Sequence, residues 1–236
     1  MTTEGLSMWK DSGLLHMGAE AIVHGGEWLG IDAVLKTRSP RAYRHPDLDS
    51  RLTRSRMSAE ARILRRLAQA DLPVPDLLAL DTNAGWLICS RVPGGPLFDA
   101  LRADLSGEAA QQVLRDIGLL IRRLHSLGIS HGDLTTHNIL WCTEKGLSVI
   151  DFGLSAIAEE IETFGLDLQV LNECLSASHP SIDGGIDNVL EGYLGAGEEV
   201  EELARQIRGK EAAILPSAQE VTKRFNEIRS RVRYHG

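Results

Sequence analysis

Three oxygen-bearing side chains stand at spacings that suit one reaction. Asp133 and Asn138 are five residues apart in His131-Gly-Asp-Leu-Thr-Thr-His-Asn138, and Asp151 opens Asp151-Phe-Gly153. Phosphoryl transfer needs one Asp to orient an attacking hydroxyl and take its proton. It also needs an Asn and a second Asp to hold magnesium on the phosphates. Magnesium sets that requirement, because it is a hard cation that keeps an octahedral shell of oxygens. Asp133 and Asn138 on their own could do no more than cap a turn. A lone Asp-Phe-Gly would also carry little weight. The reading rests on three separately placed residues agreeing on one mechanism.

The elements around these residues suit them. The first run follows a helical stretch and precedes a short apolar strand, Ile139–Trp141; the second ends an apolar run, Leu147–Ile150. The three side chains therefore ride on turns beside two neighbouring strands. Ser106 is placed to cap a long helix, with Glu108 in its first turn. Val113, Ile117, Leu120 and Leu124 form its apolar stripe, and Gly128 stops it. Asp167, in the helical pattern Leu166–Leu175, is expected to brace the catalytic loop by hydrogen bonds. Gly132 stands where an arginine that reads a phosphorylated loop usually precedes the catalytic Asp. Nothing like Ala-Pro-Glu follows Asp151, so a phospho-switched activation segment and a peptide platform have no room.

The phosphates also need a cation. The run Ile31–Lys36 reads as a strand, and its terminal Lys36 is the candidate for the α- and β-phosphates. Met57, Ala61, Leu64 and Ala68 make one stripe of a helix, and Glu60 lies on its edge. An acid facing the interior needs a partner, and Lys36 is the obvious one. Gly18 and Ala19, in Gly18-Ala19-Glu20-Ala21, are expected to turn over the phosphates. Gly25-Gly26 reads as a hairpin signal and Pro40–Asp49 as a loop. Leu72-Pro-Val-Pro75 ends the helix, and Leu77–Leu80 and Trp86–Ser90 read as strands. Arg91-Val-Pro-Gly-Gly-Pro96 is the hinge candidate. The backbone of Ser90 and Val92 is expected to bond an adenine edge, with Leu140 packed beneath the base. The division is a single domain with one lobe over 1–91, a hinge over 92–96 and a second lobe over 97–236.

Composition narrows the partners. The chain has 236 residues and a formal net charge of −8, so its surface as a whole does not attract polyanions. No apolar run is long enough to span a bilayer, and no signal peptide is read at Met1-Thr-Thr-Glu-Gly, so a cytoplasmic location without membrane contact is the expectation. Three distant cysteines suit neither a disulfide framework nor a zinc site. His179–Gly185 reads as a loop, Ile186–Leu194 as a helix and Glu198–Glu202 as a solvated acidic face. The last helix, about Ser217–Arg233, has Val221, Phe225, Ile228 and Val232 on one stripe. Lys223, Arg224, Arg229, Arg231 and Arg233 make it the most basic part of the chain. That face is either solvated or meets nucleic-acid phosphate or an acidic partner.

Taken together, several segments resemble one family. They are Gly18-Ala-Glu-Ala21, Tyr43-Arg-His-Pro46, Arg54 to Glu60-Ala-Arg62, Val74-Pro75, His131-Gly-Asp-Leu-Thr-Thr136, Ile150-Asp-Phe-Gly-Leu-Ser155, Asp167 and Ser178-His-Pro180. Nearly the whole chain resembles the small atypical kinase subunit of the KEOPS complex. Asp-Leu-Thr-Thr is the most specific piece, since Thr135 stands where common protein kinases have lysine. The resemblance implies an α+β, two-lobed kinase-like fold with a small β-rich N-lobe and a reduced, mostly helical C-lobe. It implies ATP and Mg2+ as ligands, ATPase and Ser/Thr kinase activity, and a nuclear as well as cytoplasmic location in a eukaryote. The partners implied are the KEOPS catalytic subunit, which threonylcarbamoylates tRNA, and a small accessory subunit. His137 departs from the family's serine, and the Arg229–Gly236 ending differs from its usual basic tail. Two rival readings stand beside this one: a small-molecule phosphotransferase of the aminoglycoside or choline type, and a nucleotide-sensing assembly module.

Overall fold

The computed structural model describes residues 6–18, 21–38, 45–182, 184–209 and 213–232. Ala19 and Glu20 of the phosphate turn, residues 39–44 of the expected loop, and 233–236 lie outside the described residues. Two compact units emerge: residues 1–66 with 74–92, and 67–73 with 93–236.

The first unit is built on a five-stranded antiparallel sheet in the order β1-β2-β3-β5-β4. Its strands are β1 (Trp9–Met17), β2 (Ala21–Trp28), β3 (Ile31–Arg38), β4 (Leu77–Asp81) and β5 (Trp86–Ser90). Alternate residues point to one face, so Ala33 and Leu35 of β3 bury against Trp86 and Ile88 of β5. The hairpin expected at Gly25-Gly26 is displaced: both glycines lie inside β2, and the chain turns at Leu29-Gly30, where φ is 52° and 85°. Two successive positive φ values match the twist of a tight hairpin. Gly26 is glycine for another reason. A Cβ there would sit 2.4 Å from both the Trp9 ring and the Lys10 carbonyl.

Helix α1 (Pro46–Gln69) begins inside the segment expected to be loop to Asp49. Proline fits the first helical turn, whose amides lack partners anyway, and Asp47 and Asp49 suit its positive end. Met57, Ala61 and Leu64 are buried as the stripe requires. Ala68 is exposed, and Leu67 and Ala70 are buried in its place. The helix ends before Leu72-Pro73, and Asp71 takes a left-handed φ of 50°.

The second unit runs through β6 (Gly95–Pro96), α2 (Leu97–Ala103), α3 (Gly107–Ser126), β7 (Ile129–Ser130), β8 (Ile139–Cys142), β9 (Gly146–Val149) and β10 (Ala156–Ile157). It continues through α4 (Ile161–Ser178), α5 (Gly185–Leu194), α6 (Glu198–Arg208) and α7 (Ala218–Val232). Ser106 occupies the cap position of α3 with extended backbone, but its hydroxyl makes no capping bond. Val113, Ile117, Leu120 and Leu124 are buried, and Gly128 closes the helix at φ 70°. Helices α3 and α5 touch backbone to backbone. A Cβ on Gly118 would lie 1.9 Å from the Val189 carbonyl oxygen, and one on Gly192 would lie 1.8 Å from that of Arg115. Strands β8 and β9 pair antiparallel, with Ile139 opposite Val149. Among the described residues no helix is long and apolar enough to cross a membrane, and no cluster of His, Cys, Asp and Glu is arranged to hold a metal by itself.

Candidate active site

The loop between β7 and β8 holds Asp133 and Asn138 side by side. The Asn138 amide nitrogen donates to the Asp133 carbonyl oxygen at 2.8 Å and to its carboxylate Oδ2 at 2.9 Å. Both N–H groups of that amide are thus directed at Asp133, which leaves the hard amide oxygen for a cation. The Ile150 amide donates to the Asn138 carbonyl at 2.9 Å, so the residue bearing the next carboxylate, Asp151, follows directly from a bond to Asn138. Asp151 itself sits at φ 61° and accepts from the Gly153 amide at 3.2 Å. Strain of this kind, of order 1–3 kcal/mol, persists only where the surroundings impose it. The Asp151 carboxylate and the Asn138 amide oxygen are hard oxygen donors that fit Mg2+.

His131 locks the loop from within. Its Nδ1 accepts from the Asp133 amide at 3.3 Å, so the proton is on Nε2, which donates to the Ile150 carbonyl at 3.0 Å. Its ring lies 5.1 Å from that of the buried Phe152. Asp167 pins the loop from below: its carboxylate accepts from the amides of His131 at 2.6 Å and Gly132 at 2.8 Å. Gly132 cannot be the usual arginine here. Its φ is 80°, and a Cβ would sit 2.5 Å from the Leu154 carbonyl oxygen. Asp167 belongs to α4, which starts at Ile161, earlier than the helical pattern suggests.

Sequence reasoning missed what holds Asp167. His125 Nε2 lies 3.2 Å from its carboxylate, and His125 Nδ1 lies 2.9 Å from the Tyr193 hydroxyl. Arg122 reaches that hydroxyl at 3.4 Å and ends on Glu201 at 2.6 Å and the Pro216 carbonyl at 3.1 Å. Glu201 is therefore a partner of a buried guanidinium, not part of a purely solvated acidic face. Spacing alone did bring Arg122 and His125 to the apolar side of α3, which was the available signal. Burial pushes the Tyr193 phenol up to about 12, so it stays a donor. Burial also lowers the His125 pKa, with Asp167 opposing. Burial works against the Asp167 carboxylate, yet the hydrogen bond from His125 and the two amides hold its pKa below the usual value.

His125 takes up its proton in the unfolded chain near pH 6.5 but resists it when folded. The unfolded state then binds more protons, so stability falls as pH drops below about 6.5. Urea midpoints should decrease from pH 7.5 to 5.5, and His125→Gln should flatten that decrease while lowering the midpoint at pH 7.5. An unchanged slope in His125→Gln would move the effect to another group.

The Thr-Thr run and His137 also find partners. The buried Thr136 hydroxyl lies 3.2 Å from His179 Nε2 and 3.3 Å from Cys174 Sγ. His137 stacks on Phe98 at 4.1 Å, which accounts for a ring where serine was expected. Leu140 is in β8, opposite Pro96 and Ser148.

In the first unit, Lys36 Nζ lies 2.9 Å from Glu60 Oε1. Glu60 is fully inside, 3% exposed, and its other oxygen takes Arg38 Nη2 at 3.1 Å. Arg38 was not singled out from the sequence, although it stands two residues from Lys36 and so on the same face of β3. Burial, and then Glu60, push the neighbouring Cys89 thiol up to about 12, which removes it as a nucleophile. The Ser90 amide donates to the Asp76 carbonyl at 2.8 Å, so only its carbonyl remains for a ligand edge. The Gly18 amide donates to the Ala21 carbonyl at 3.0 Å, at the start of β2.

Comparison with known proteins points the same way. The profile of the lipopolysaccharide kinase (Kdo/WaaP) family matches residues 36–159. The KEOPS complex subunit Bud32 of Pyrococcus abyssi is 32% identical over 228 residues, covering 94% of this chain and 96% of that protein. The EKC/KEOPS complex subunit BUD32 of Gibberella zeae is 34% identical over 200 residues, 76% of each chain. A probable bifunctional tRNA threonylcarbamoyladenosine biosynthesis protein of Methanothermobacter thermautotrophicus is 36% identical over 181 residues. That match takes in 76% of this chain, which spans about a third (32%) of the bifunctional protein. The Rio2 kinase of Chaetomium thermophilum, solved as an ADP/Mg2+-phosphoaspartate complex, shares the fold with a TM-score of 0.58 at 18% identity, covering 93% of this chain and 72% of that one. With the α+β kinase-like fold and a relative matched over 94% of this chain in place, the chain belongs to the family of the KEOPS complex subunit Bud32.

Proposed function

We propose that this chain is an Mg-ATP-dependent phosphotransferase and ATPase that supports threonylcarbamoyladenosine modification of tRNA as a KEOPS subunit. In this reading Lys36, fixed by Glu60, binds the α- and β-phosphates. Asn138 and Asp151 hold magnesium, whose chemistry is to neutralise charge on the transferring phosphate. Asp133 orients a water or a Ser/Thr hydroxyl and accepts its proton. Gly18 and Ala19 cover the phosphates, while the Ser90 carbonyl, Val92 and Leu140 hold the adenine. The partners are the tRNA-modifying catalytic subunit and a small accessory subunit, in the cytoplasm and, in a eukaryote, the nucleus. Residues 1–91 and 97–236 act as lobes about a hinge at 92–96.

The observation that carries this reading is the side-by-side placement of Asp133 and Asn138 on a loop pinned by buried Asp167. Single-turnover ATP hydrolysis with and without the catalytic partner tests it. Magnesium-dependent hydrolysis that rises with the partner is the expected result; no hydrolysis in either case overturns it. The Kdo/WaaP match favours a second reading, a sugar phosphotransferase, but that match stops at residue 159. Rapid turnover of a sugar or amino-alcohol acceptor would favour it.

A further inference from the structure

The basic charges of this acidic protein are not evenly spent. In the second unit Arg115, Arg122, Arg205 and Arg224 each end on a carboxylate, from Glu191, Glu201, Glu202 and both Glu162 and Glu227. In the first unit Lys10, Lys36, Arg38 and Arg91 do the same. The basic α7, the segment marked out by composition, thus has its central arginine already neutralised. Helix α1 differs. Arg51, Arg54, Arg62 and Arg65 are exposed on it. At 100° per residue they fall within an arc of about 80°, and at 1.5 Å per residue they extend over about 21 Å. Ser55 and Ser58, both exposed, fill the same face between them. Of the acids of α1, Glu60 is buried against Lys36 and Arg38 and Asp49 is buried, both on the opposite side of the helix, while the exposed Asp47, in the first turn, falls in the same arc four residues before Arg51. Among the described residues Arg51, Arg62 and Arg65 have no ion-pair or hydrogen-bond partner, and Arg54 reaches only the neutral Ser50 carbonyl and Asn83.

Four arginines met by one acid at the N-terminal end of the row repel one another unless an anion covers them, and like charges on one helix face are destabilising. Guanidinium is the side chain that matches phosphate with a fork of donors, and it is the more weakly hydrated of the two basic groups. A linear spacing of about 21 Å suits successive phosphates of a nucleic-acid strand better than one small anion. We infer that the Arg51–Arg54–Arg62–Arg65 face of α1 is an RNA-backbone contact surface, reading phosphates and not bases. This deepens the proposed role in tRNA modification and rests on it for the choice of RNA over other polyanions.

The test is fluorescence anisotropy of a labelled, unmodified tRNA transcript with the full chain, from 50 to 200 mM salt. Arg51→Gln/Arg62→Gln/Arg65→Gln keeps helix propensity and should reduce the slope of log Kd against log salt by about 2–3, at about 0.7–0.9 per lost phosphate contact. The triple Lys variant should retain the slope with weaker binding, since the charge stays and the fork goes. Arg229→Gln/Arg231→Gln, on α7, should change the slope less than the α1 triple. A slope unchanged in the triple Gln variant, or no binding by the unaltered chain, overturns the proposal. So does a polyaspartate peptide that binds the α1 face as tightly as tRNA, which would assign the face to an acidic protein. ATP hydrolysis measured on the same samples keeps the two claims apart: it should be equal in the unaltered chain and the triple variant. Its absence from both would sink the ATPase reading and leave the RNA result standing.

Discussion

Asp133→Asn should lower single-turnover ATP hydrolysis by about 10²–10⁴-fold, the range of a lost general base, with ATP affinity changed little. The substitution is nearly isosteric, so the loop should persist. His131 still accepts from the backbone amide of residue 133, and Asp167 still pins the amides of His131 and Gly132. What changes is chemistry: an amide neither takes a proton nor matches the Asn138 donor as a carboxylate does. Rate and nucleotide affinity therefore separate, and measuring both is the check. An unchanged rate would remove Asp133 from catalysis. If the partner subunit binds more tightly with ATP and that coupling survives Asp133→Asn, nucleotide sensing outranks turnover.

The second large effect is on folding. Gly118→Val should cost about 3 kcal/mol or more, read as a lower urea midpoint or as failure to recover folded chain. Overpacking usually costs about 1–3 kcal/mol because side chains shift. Here the first obstacle is backbone: the added Cβ meets the Val189 carbonyl oxygen at 1.9 Å and the Tyr193 amide at 2.6 Å. Only separation of α3 from α5 relieves it, and that would draw Tyr193 away from His125. Gly107→Ala is a control, since nothing lies within 4 Å of its Cβ. Its φ of 55° makes a small loss of its own the expectation. Equal midpoints for the two variants would show that α3 and α5 do not depend on contact at Gly118.

Much of the candidate site was legible because its residues lie close together in the chain. Asp133 and Asn138 share one loop, so their spacing alone brings them within reach. The Lys36–Glu60 contact was legible for a different reason: an acid on an apolar stripe must find a cation, and one strand offered it. Asp167 was legible as a brace but not its depth, because Asp167, His125 and Tyr193 come from three separate helices, α4, α3 and α5, and no spacing links them. The hairpin was misplaced because a glycine pair can mark either a turn or a close approach. At Gly26 the neighbour is a Trp9 ring, which sequence periodicity does not reveal. Ala68 was assigned to the buried stripe because alanine fits either side of a helix. The packing instead took Leu67 and Ala70, nearer the end where the chain turns. Glu201 looked solvated because its run is acidic throughout, and only the end of Arg122 distinguishes it.

One feature of α3 bears on how this chain can vary. Gly118, Arg122 and His125 are four and three residues apart and share a face. The first lets α5 in, and the other two carry the buried polar links to Tyr193 and Asp167. Inserting or deleting one residue between Gly118 and His125 would rotate one end against the other by about 100°, so the helix crossing and the polar links could not both be met. Length in this stretch is consequently fixed as firmly as residue type. Natural relatives of this chain should vary in length freely at the 195–197 connection and hold the Gly118–His125 interval invariant.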